Sequence, residues 1–350
     1  MKLSKAAGSR TTVVSAFALL AIGAGVPLQA QVSLTGAGAT FPAPIYQKWF
    51  SDYQSIGNAQ INYQPNGSGG GIKAVTEGVT DFGASDMPLT DEQLSAYQSK
   101  HGFKVLLFPT VLGAVVPTYN LPSVKQPLNF TPAALAGIFM GTITKWNDPA
   151  IAGANKGVSL PNLDINVAHR SDASGTTFVF TDYLSKVSPE WVQKVGKANT
   201  SVQWPAGIGG KGNDGVSGIV KQQEGAIGYV ELIYAVKNKL AYGNVQNSSN
   251  EFVTASLSSV TAAAAGAAKS IPDDFRVSIT NAPGKGAYPI STFTWLLIPS
   301  KIPDNAKKTA LVGFVKWAIT KGQDEVEALD YAKLPSSVVT KETKAVSLIR

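Results

Sequence analysis

Eight consecutive residues in the middle of the chain combine the groups that bind oxyanions. The segment 170–177 reads RSDASGTT. Arg170 offers a guanidinium fork, which can give two parallel, charge-assisted hydrogen bonds to a carboxylate or a phosphate. Ser174, Gly175 and Thr176 would begin a helix, where unpaired backbone N–H groups bind anions. An ordinary capped helix would use the same residue types, so this segment alone leaves both interpretations open.

Two glycine-rich segments nearer the N-terminus have the same design. Residues 35–44 read TGAGATFPAP and residues 66–71 read NGSGGG, and each leads into a helical pattern. Glycine lets backbone approach a ligand closely, and helix N-termini carry partial positive charge. The hydroxyls of Thr40 and Ser68 add donors. A single glycine-rich turn is usually only a tight turn or linker, but three such helix starts in one chain favour a shared anion site.

A fourth segment supplies an acid. Residues 81–89 read DFGASDMPL, so that Asp86 follows a short strand-like run and precedes a proline turn. Taken alone, Asp86 is best interpreted as a cap for the helical pattern that begins at Asp91.

With these segments in view, the chain closely resembles the periplasmic phosphate-binding proteins of high-affinity ABC phosphate importers. The matching motifs are LTGAGATFPAP at 34–44, DFGASD at 81–86, RSDASGT at 170–176, GGKGNDGV at 209–216, GAIGYVE at 225–231, YPI at 288–290 and LDYAKLP at 329–335. The resemblance implies phosphate contacts from Thr40, Phe41, Ser68, Asp86, Arg170, Ser174, Gly175 and Thr176. Gly69 departs from the pattern, because some relatives have a second serine there, but it lies beside the site.

The resemblance gives Asp86 a chemical role. Phosphate carries at least one O–H group at neutral pH and sulfate carries none, so a buried carboxylate accepts a hydrogen bond from phosphate and repels sulfate. Leaving a buried polar group unpaired costs about 1–3 kcal/mol, and more when it is charged, so this residue could discriminate by about a hundredfold or more. We expect Asp172, two residues from Arg170, to orient the guanidinium from behind the ligand contacts.

The first 30 residues have the pattern of a secretory signal. Lys2, Lys5 and Arg10 precede an apolar stretch at 13–22, and we expect cleavage after about Ala30. The apolar run is shorter than the ~20 residues that span a bilayer. The chain has no cysteine, which excludes disulfides, thiolate chemistry and a lipidated cysteine anchor. The sequence therefore predicts a soluble periplasmic protein without a lipid anchor.

Charge and motif content argue against nucleic-acid binding and catalysis. Removing residues 1–30 takes away three of the 30 basic residues and none of the 23 acidic ones, which leaves a formal charge of +4. The basic residues are scattered, unlike a nucleic-acid-binding patch. Only two histidines are present, and no P-loop or dinucleotide fingerprint is complete. We expect no metal, no cofactor and no enzyme activity.

Short apolar runs alternate with helical patterns, which predicts an α/β architecture. The resemblance implies a type II-like, two-domain periplasmic binding protein fold, with a ligand cleft between the domains and a two-strand hinge. Mapped onto this chain, residues 31–114 and 287–350 form the discontinuous domain I, and residues 115–286 form domain II. One wall of the cleft would then carry Thr40, Ser68 and Asp86, and the other Arg170, Ser174 and Thr176.

The sequence thus predicts a monomeric receptor that binds inorganic phosphate and delivers it to an inner-membrane ABC permease. An anion bonded to both walls stabilises only the closed form, which would couple binding to hinge closure. A receptor for another tetrahedral oxyanion or a phosphonate is one alternative, and an exported surface protein without an importer is another. A phosphomonoesterase with Ser174 or Thr176 as nucleophile is the enzymatic alternative, although it lacks a nearby general base or metal cluster.

Overall fold

Strands and helices alternate along the chain, as the sequence predicts. The structure is a computed structural model that describes residues 31–57, 59–267 and 271–350. The predicted secretory signal and its cleavage point lie outside the described residues.

The strands are β1 (Val32–Gly38), β2 (Ala59–Gln64), β3 (Phe82–Ser85), β4 (Val105–Tyr119), β5 (Asn129–Phe130), β6 (Asn166–Arg170), β7 (Ile208–Gly210), β8 (Ala226–Glu231), β9 (Ala241–Tyr242), β10 (Asn244–Gln246), β11 (Phe252–Val253) and β12 (Ser291–Pro299). The helices are α1 (Ala43–Gly57), α2 (Ser68–Glu77), α3 (Asp91–His101), α4 (Pro132–Phe139), α5 (Pro149–Ala152), α6 (Gly175–Val187), α7 (Pro189–Lys194), α8 (Gly212–Gln222), α9 (Leu232–Asn238), α10 (Leu257–Ala267), α11 (Asn305–Ala318) and α12 (Ser336–Ala345). Short 3₁₀ turns lie at Lys321–Asp324, Glu327–Leu329 and Val346–Leu348.

Most of the strands join one mixed sheet in the order β2-β1-β3-β12-β4-β8-β6-β7, and β9 also pairs with β4. Strand β1 is parallel to β2 and β3, and β6 is parallel to β7 and β8. Between these two parallel groups, β12 runs antiparallel to β3 and β4, and β4 runs antiparallel to β8. A smaller sheet has the order β11-β10-β5.

The long strand β4 is shared by both halves of the main sheet. Residues 105–114 pair with β12, and residues 115–119 pair with β8. The predicted boundary between domains I and II, after residue 114, coincides with this change of partner. The two domain ranges themselves stay a prediction.

The register of these pairings makes the carboxyl ends of the two groups of parallel strands face each other. Ser85 ends β3 and lies level with Pro109 of β4, because both pair with the same residue of β12. Glu231 ends β8 and pairs with Val115, further along β4. The carboxyl ends of both groups therefore face the middle of β4. Ligands of open α/β sheets bind at such carboxyl ends.

Aromatic packing fixes the first helix after β1. Tyr46, Trp49, Phe50 and Tyr53 follow the 3.6-residue period, and all four are buried on one face of α1. Phe50 and Tyr53 contact Phe314 of α11, with ring centroids 5.2 and 5.4 Å apart. This cluster packs α1 against α11.

None of the helices in the described part of the chain has both the length and the apolar character that crossing a bilayer requires.

Candidate functional site

One wall of the candidate site is built at the carboxyl ends of β1, β2 and β3. Thr40 and Phe41 lie between β1 and α1, Ser68 begins α2, and Asp86 directly follows β3. None of these four residues, which we call the Asp86 wall, is more than 5% exposed. Gly67 caps α2 with φ at 96°, a backbone conformation that glycine adopts without strain.

The opposite wall is built at the carboxyl end of β6. Arg170 is the last residue of β6, and α6 begins five residues later at Gly175. Ser174 is the N-cap of α6, and its hydroxyl accepts a hydrogen bond from Thr177 N–H at 3.0 Å. We call Arg170, Ser174, Gly175 and Thr176 the Arg170 wall. Ser174 therefore caps a helix start that faces the other wall, and an anion site at this same segment stays a prediction.

Asp172 holds the guanidinium of Arg170 from one side. Arg170 Nε donates to Asp172 Oδ1 at 2.8 Å, and Nη2 donates to Oδ2 at 2.5 Å. Gly212 N–H also donates to Oδ1, at 3.0 Å. Burial would raise the pKa of Asp172, but the contacts with Arg170 and Gly212 hold it below its ordinary value. Asp172 is thus ionised at neutral pH and fixes the plane of the guanidinium, whose Nη1 donates to Thr176 Oγ1 at 3.3 Å.

The two walls are in direct contact. Gly69 N–H donates to the carbonyl of Ala173 at 2.9 Å. A Cβ atom placed on Gly175 would lie 2.6 Å from Asp86 Oδ2 and would overlap the Ser68 hydroxyl. A side chain at position 175 would therefore separate the walls, which is a physical reason for glycine there.

Asp86 is a buried carboxylate with one strong internal donor. Thr294 Oγ1, on β12, donates to Asp86 Oδ1 at 2.8 Å. The Ser68 hydroxyl accepts from Asp86 N–H at 3.1 Å, and its oxygen lies 3.5 Å from Asp86 Oδ2. Burial raises the pKa of Asp86 to about 7, although Thr294, Arg170 and Ser68 act in the opposite direction. Oδ2, beside Gly175, is therefore the oxygen best placed to accept a hydrogen bond from a ligand.

The alternative role for Asp86, as a helix cap, belongs to another residue. Thr90 caps α3: its hydroxyl accepts from Gln93 N–H, and the Gln93 side chain accepts from Thr90 N–H. This reciprocal capping box satisfies the first turn of α3 without Asp86.

Phe41 differs from the other predicted contacts, because its ring points into the core. The ring is fully buried and its centroid lies 6.1 Å from that of Tyr331. The Phe41 carbonyl accepts from Tyr331 Oη at 2.6 Å. A ligand contact from Phe41 would therefore come from its backbone N–H.

Comparisons with known proteins place this chain in a family. Residues 25–321 match a family model described as a PBP superfamily domain. The chain is 47% identical over 309 residues to the phosphate-binding protein PstS of Xylella fastidiosa strain Temecula1, an alignment that covers 88% of this chain and 83% of that protein. It is 43% identical to the PstS of Haemophilus influenzae, with 90% and 92% of the two chains covered. The chain belongs to the PstS phosphate-binding protein family.

Solved structures confirm the fold expected for a PstS-family chain. A high-affinity periplasmic phosphate-binding protein, determined with phosphate bound, superposes with a TM-score of 0.72 at 22% identity, and the match covers 89% of this chain and 93% of that one. A phosphate-binding protein from Stenotrophomonas maltophilia gives a TM-score of 0.69 at 20% identity, with 88% and 92% covered. At such identities the likeness shows the two-domain α/β binding-protein fold alone.

Several residues of this PstS-family chain that support the walls were missed by sequence reasoning. Tyr234 Oη donates to the Thr40 carbonyl at 2.6 Å, as Tyr331 does to Phe41. Asn213 Nδ2 donates to Thr40 Oγ1 at 2.8 Å, and Thr294 binds Asp86 as described above. Asn213 lies inside the GGKGNDGV motif and Tyr331 inside LDYAKLP, so both residues belong to motifs that the sequence analysis had identified. The motifs alone do not show which of their side chains reaches the site.

Proposed function

We propose that this chain binds inorganic phosphate between the Asp86 wall and the Arg170 wall, and that it delivers phosphate to the permease of an ABC importer. The relatives with the highest identity given above are named phosphate-binding proteins. The observation that carries the proposal is the buried carboxylate of Asp86, whose Oδ2 lies beside Ser68 and the start of α6 on the opposite wall.

This pattern fits the chemistry of phosphate. Phosphate needs donors for its oxygens and one acceptor for its O–H group, whereas sulfate needs donors only. Arg170, the hydroxyls of both walls and the N-terminus of α6 provide donors. Arg170 carries one positive charge against the carboxylates of Asp86 and Asp172. The affinity would therefore come from short hydrogen bonds in a buried site and not from excess positive charge.

Direct contact between the walls supports a cleft that closes on its ligand. Both walls carry hydroxyl donors, while Arg170 belongs to one wall and the acceptor Asp86 to the other, so an anion bonded to both walls stabilises the closed form. The proposal includes two domains with the predicted ranges, a hinge where the chain passes between them, export to the periplasm and function as a monomer.

Catalysis at Ser174 or Thr176 has less support than binding. The Ser174 hydroxyl caps α6, and the Thr176 hydroxyl accepts from Arg170. In the structure His101 contacts the carbonyl of Thr76, and His169 contacts that of Arg170. Among the described residues, neither candidate nucleophile thus has a hydrogen bond to a histidine or a carboxylate, and a general base needs to lie within hydrogen-bond reach. In residues 31–57, 59–267 and 271–350, no group of three or more metal-ligating side chains is placed to hold a metal ion.

Calorimetric titration tests the proposed function. The chain without its first 30 residues is unfolded and refolded to remove any ligand carried through purification, and it is then titrated with phosphate, sulfate and methylphosphonate. At about pH 9, where Asp86 is ionised, we expect tight one-to-one binding of phosphate and no heat from sulfate. A folded chain that ignores phosphate would contradict the proposal, and preference for methylphosphonate would favour a phosphonate receptor. Release of phosphate from a phosphomonoester would favour the enzymatic alternative.

A further inference from the structure

We infer that Asn213, which lies outside the predicted ligand set, is a positioning residue that turns the hydroxyl hydrogens of Thr40 and Thr176 toward the bound anion. The inference deepens the proposed function and rests on it. Asn213 is fully buried and lies in the first turn of α8, just after the carboxyl end of β7.

The orientation of the Asn213 amide follows from its neighbours. Glu231 N–H donates to Asn213 Oδ1 at 3.0 Å. A backbone N–H can only donate, so the amide oxygen must face it. The NH₂ group of the amide therefore faces the opposite way, toward the two threonine hydroxyls.

Both threonine hydroxyls accept hydrogen bonds from nitrogen donors. Asn213 Nδ2 donates to Thr40 Oγ1 at 2.8 Å and to Thr176 Oγ1 at 3.3 Å. Thr40 Oγ1 also accepts from Asn213 N–H at 3.4 Å, and Thr176 Oγ1 also accepts from Arg170 Nη1 at 3.3 Å. Within the described residues, each of these hydroxyls thus has two nitrogen donors directed at it.

This pairing fixes what the hydroxyls can do for a ligand. A hydroxyl has two lone pairs and one hydrogen. When both lone pairs face nitrogen donors, the hydrogen is left to donate, and the hydroxyl cannot accept the proton of phosphate. Asn213 thereby makes Thr40 and Thr176 donors and leaves Asp86 as the acceptor.

Asn213 also connects the two walls. Thr40 belongs to the Asp86 wall and Thr176 to the Arg170 wall, and one NH₂ group contacts both. The two hydroxyls are therefore oriented together only when the walls are together. We therefore expect Asn213 to affect affinity through Thr40 and Thr176.

Substitution of Asn213 measures this role as a change in the Kd for phosphate. Asn213→Ala removes the donors, and we expect the Kd to rise about 10- to 100-fold. Asn213→Asp keeps the shape and the acceptor for Glu231 N–H, but its carboxylate would draw both hydroxyl hydrogens away from the ligand. We expect a larger rise for Asn213→Asp than for Asn213→Ala. The aspartate variant also serves if the alanine variant does not fold.

Asn155→Ala is the matched control. Asn155 is likewise a buried amide, 5% exposed, and it donates to the carbonyls of Asn129 and Ile151, which belong to neither wall. We expect its Kd for phosphate to stay within about twofold of the parent chain, even if its melting temperature falls.

Double-mutant cycles separate positioning from a purely structural role. Asn213→Ala is combined in turn with Thr40→Val and with Thr176→Val. If Asn213 acts through the hydroxyls, its effect on the Kd shrinks severalfold in each valine background. An undiminished effect in both backgrounds, or an unchanged Kd in Asn213→Ala itself, would overturn the inference.

Failure of this inference can be distinguished from failure of the proposed function. If the parent chain does not bind phosphate, the proposed function is wrong. If Arg170→Ala binds phosphate normally, the proposed location of the site is wrong. If the parent binds phosphate and Arg170→Ala does not, a null result at Asn213 counts against the positioning role alone.

Discussion

The two walls shift the pKa values of their aspartates in opposite directions. On the Arg170 wall, the guanidinium and Gly212 N–H keep the pKa of Asp172 below its ordinary value, despite burial. On the other wall, burial dominates and raises the pKa of Asp86 to about 7, because a threonine hydroxyl is its one short side-chain contact. Asp172 uses both of its oxygens on Arg170 and Gly212 and so fixes a donor, whereas Asp86 Oδ2 lies 3.5 Å from Ser68 Oγ and can accept from a ligand when Asp86 is ionised. The residue type is the same, and the surrounding donors decide the role.

Removing the guanidinium of Arg170 should have the largest effect on phosphate binding. Arg170→Ala deletes the charged donor and leaves Asp172 half-buried without its partner. We expect the Kd for phosphate to rise about a thousandfold, measured by calorimetry, since charge-assisted hydrogen bonds are the strong ones.

Arg276→Ala is a close control for that variant. Arg276 also pairs with an aspartate two residues away in sequence, with Nε 2.8 Å from Asp274 Oδ2, but it belongs to neither wall. Its Kd should match that of the parent chain. Retained tight binding by Arg170→Ala would show that the Arg170 wall is not the anion site.

A second pair of variants asks whether the two carboxylates differ in function. Asp86→Asn keeps the shape but adds an amide that can donate, so we expect the phosphate-over-sulfate preference to fall about a hundredfold. Asp172→Asn should weaken phosphate binding while it leaves that preference nearly intact. Competition titrations with sulfate measure both. Equal loss of preference in the two variants would contradict the division of roles.

The smallest expected effect concerns pH. Below its pKa, Asp86 is neutral and can donate to sulfate, so sulfate exclusion should weaken as the pH falls through about 7. The Thr294 hydroxyl lowers this pKa, so Thr294→Val should raise it further and sulfate should begin to compete at a higher pH. For Thr294→Val at neutral pH, we expect the affinity for sulfate relative to that for phosphate to rise about three- to tenfold.

Sulfate competition between about pH 6 and pH 9 brackets the expected change. Thr292→Val is the control, because Thr292 is buried on the same strand but donates to the carbonyl of Phe293. A pH profile that Thr294→Val does not move would contradict a link between this hydroxyl and Asp86.

The sequence predicted the elements that are encoded by residues close together in the chain. The glycine-rich starts of α1 and α2 and the Ser174 cap are encoded by neighbouring residues, so their structures could be expected from the motifs. The eight proposed contacts came from resemblance, and their part in phosphate binding stays a prediction. The structure adds that Ser68, Asp86 and Gly175 lie together and that Arg170 contacts Thr176.

Sequence did not predict the contacts that depend on long-range register. Thr294 lies 208 residues from Asp86, and it reaches the carboxylate because β12 pairs with β3 so that Trp295 lies opposite Ser85. Asn213 lies 173 residues from Thr40. Periodicity shows which face of an element is buried, but it does not show which residue of a distant strand or helix lies opposite.

The close fit at Gly175 makes affinity and specificity depend on the same small space. One methyl group at this position would hold the walls apart, since a Cβ there meets both Ser68 and Asp86. The same methyl group would press on Asp86 Oδ2, the proposed acceptor. A single hydrogen atom in place of a side chain therefore links how tightly the chain would hold an anion to which anion it would hold.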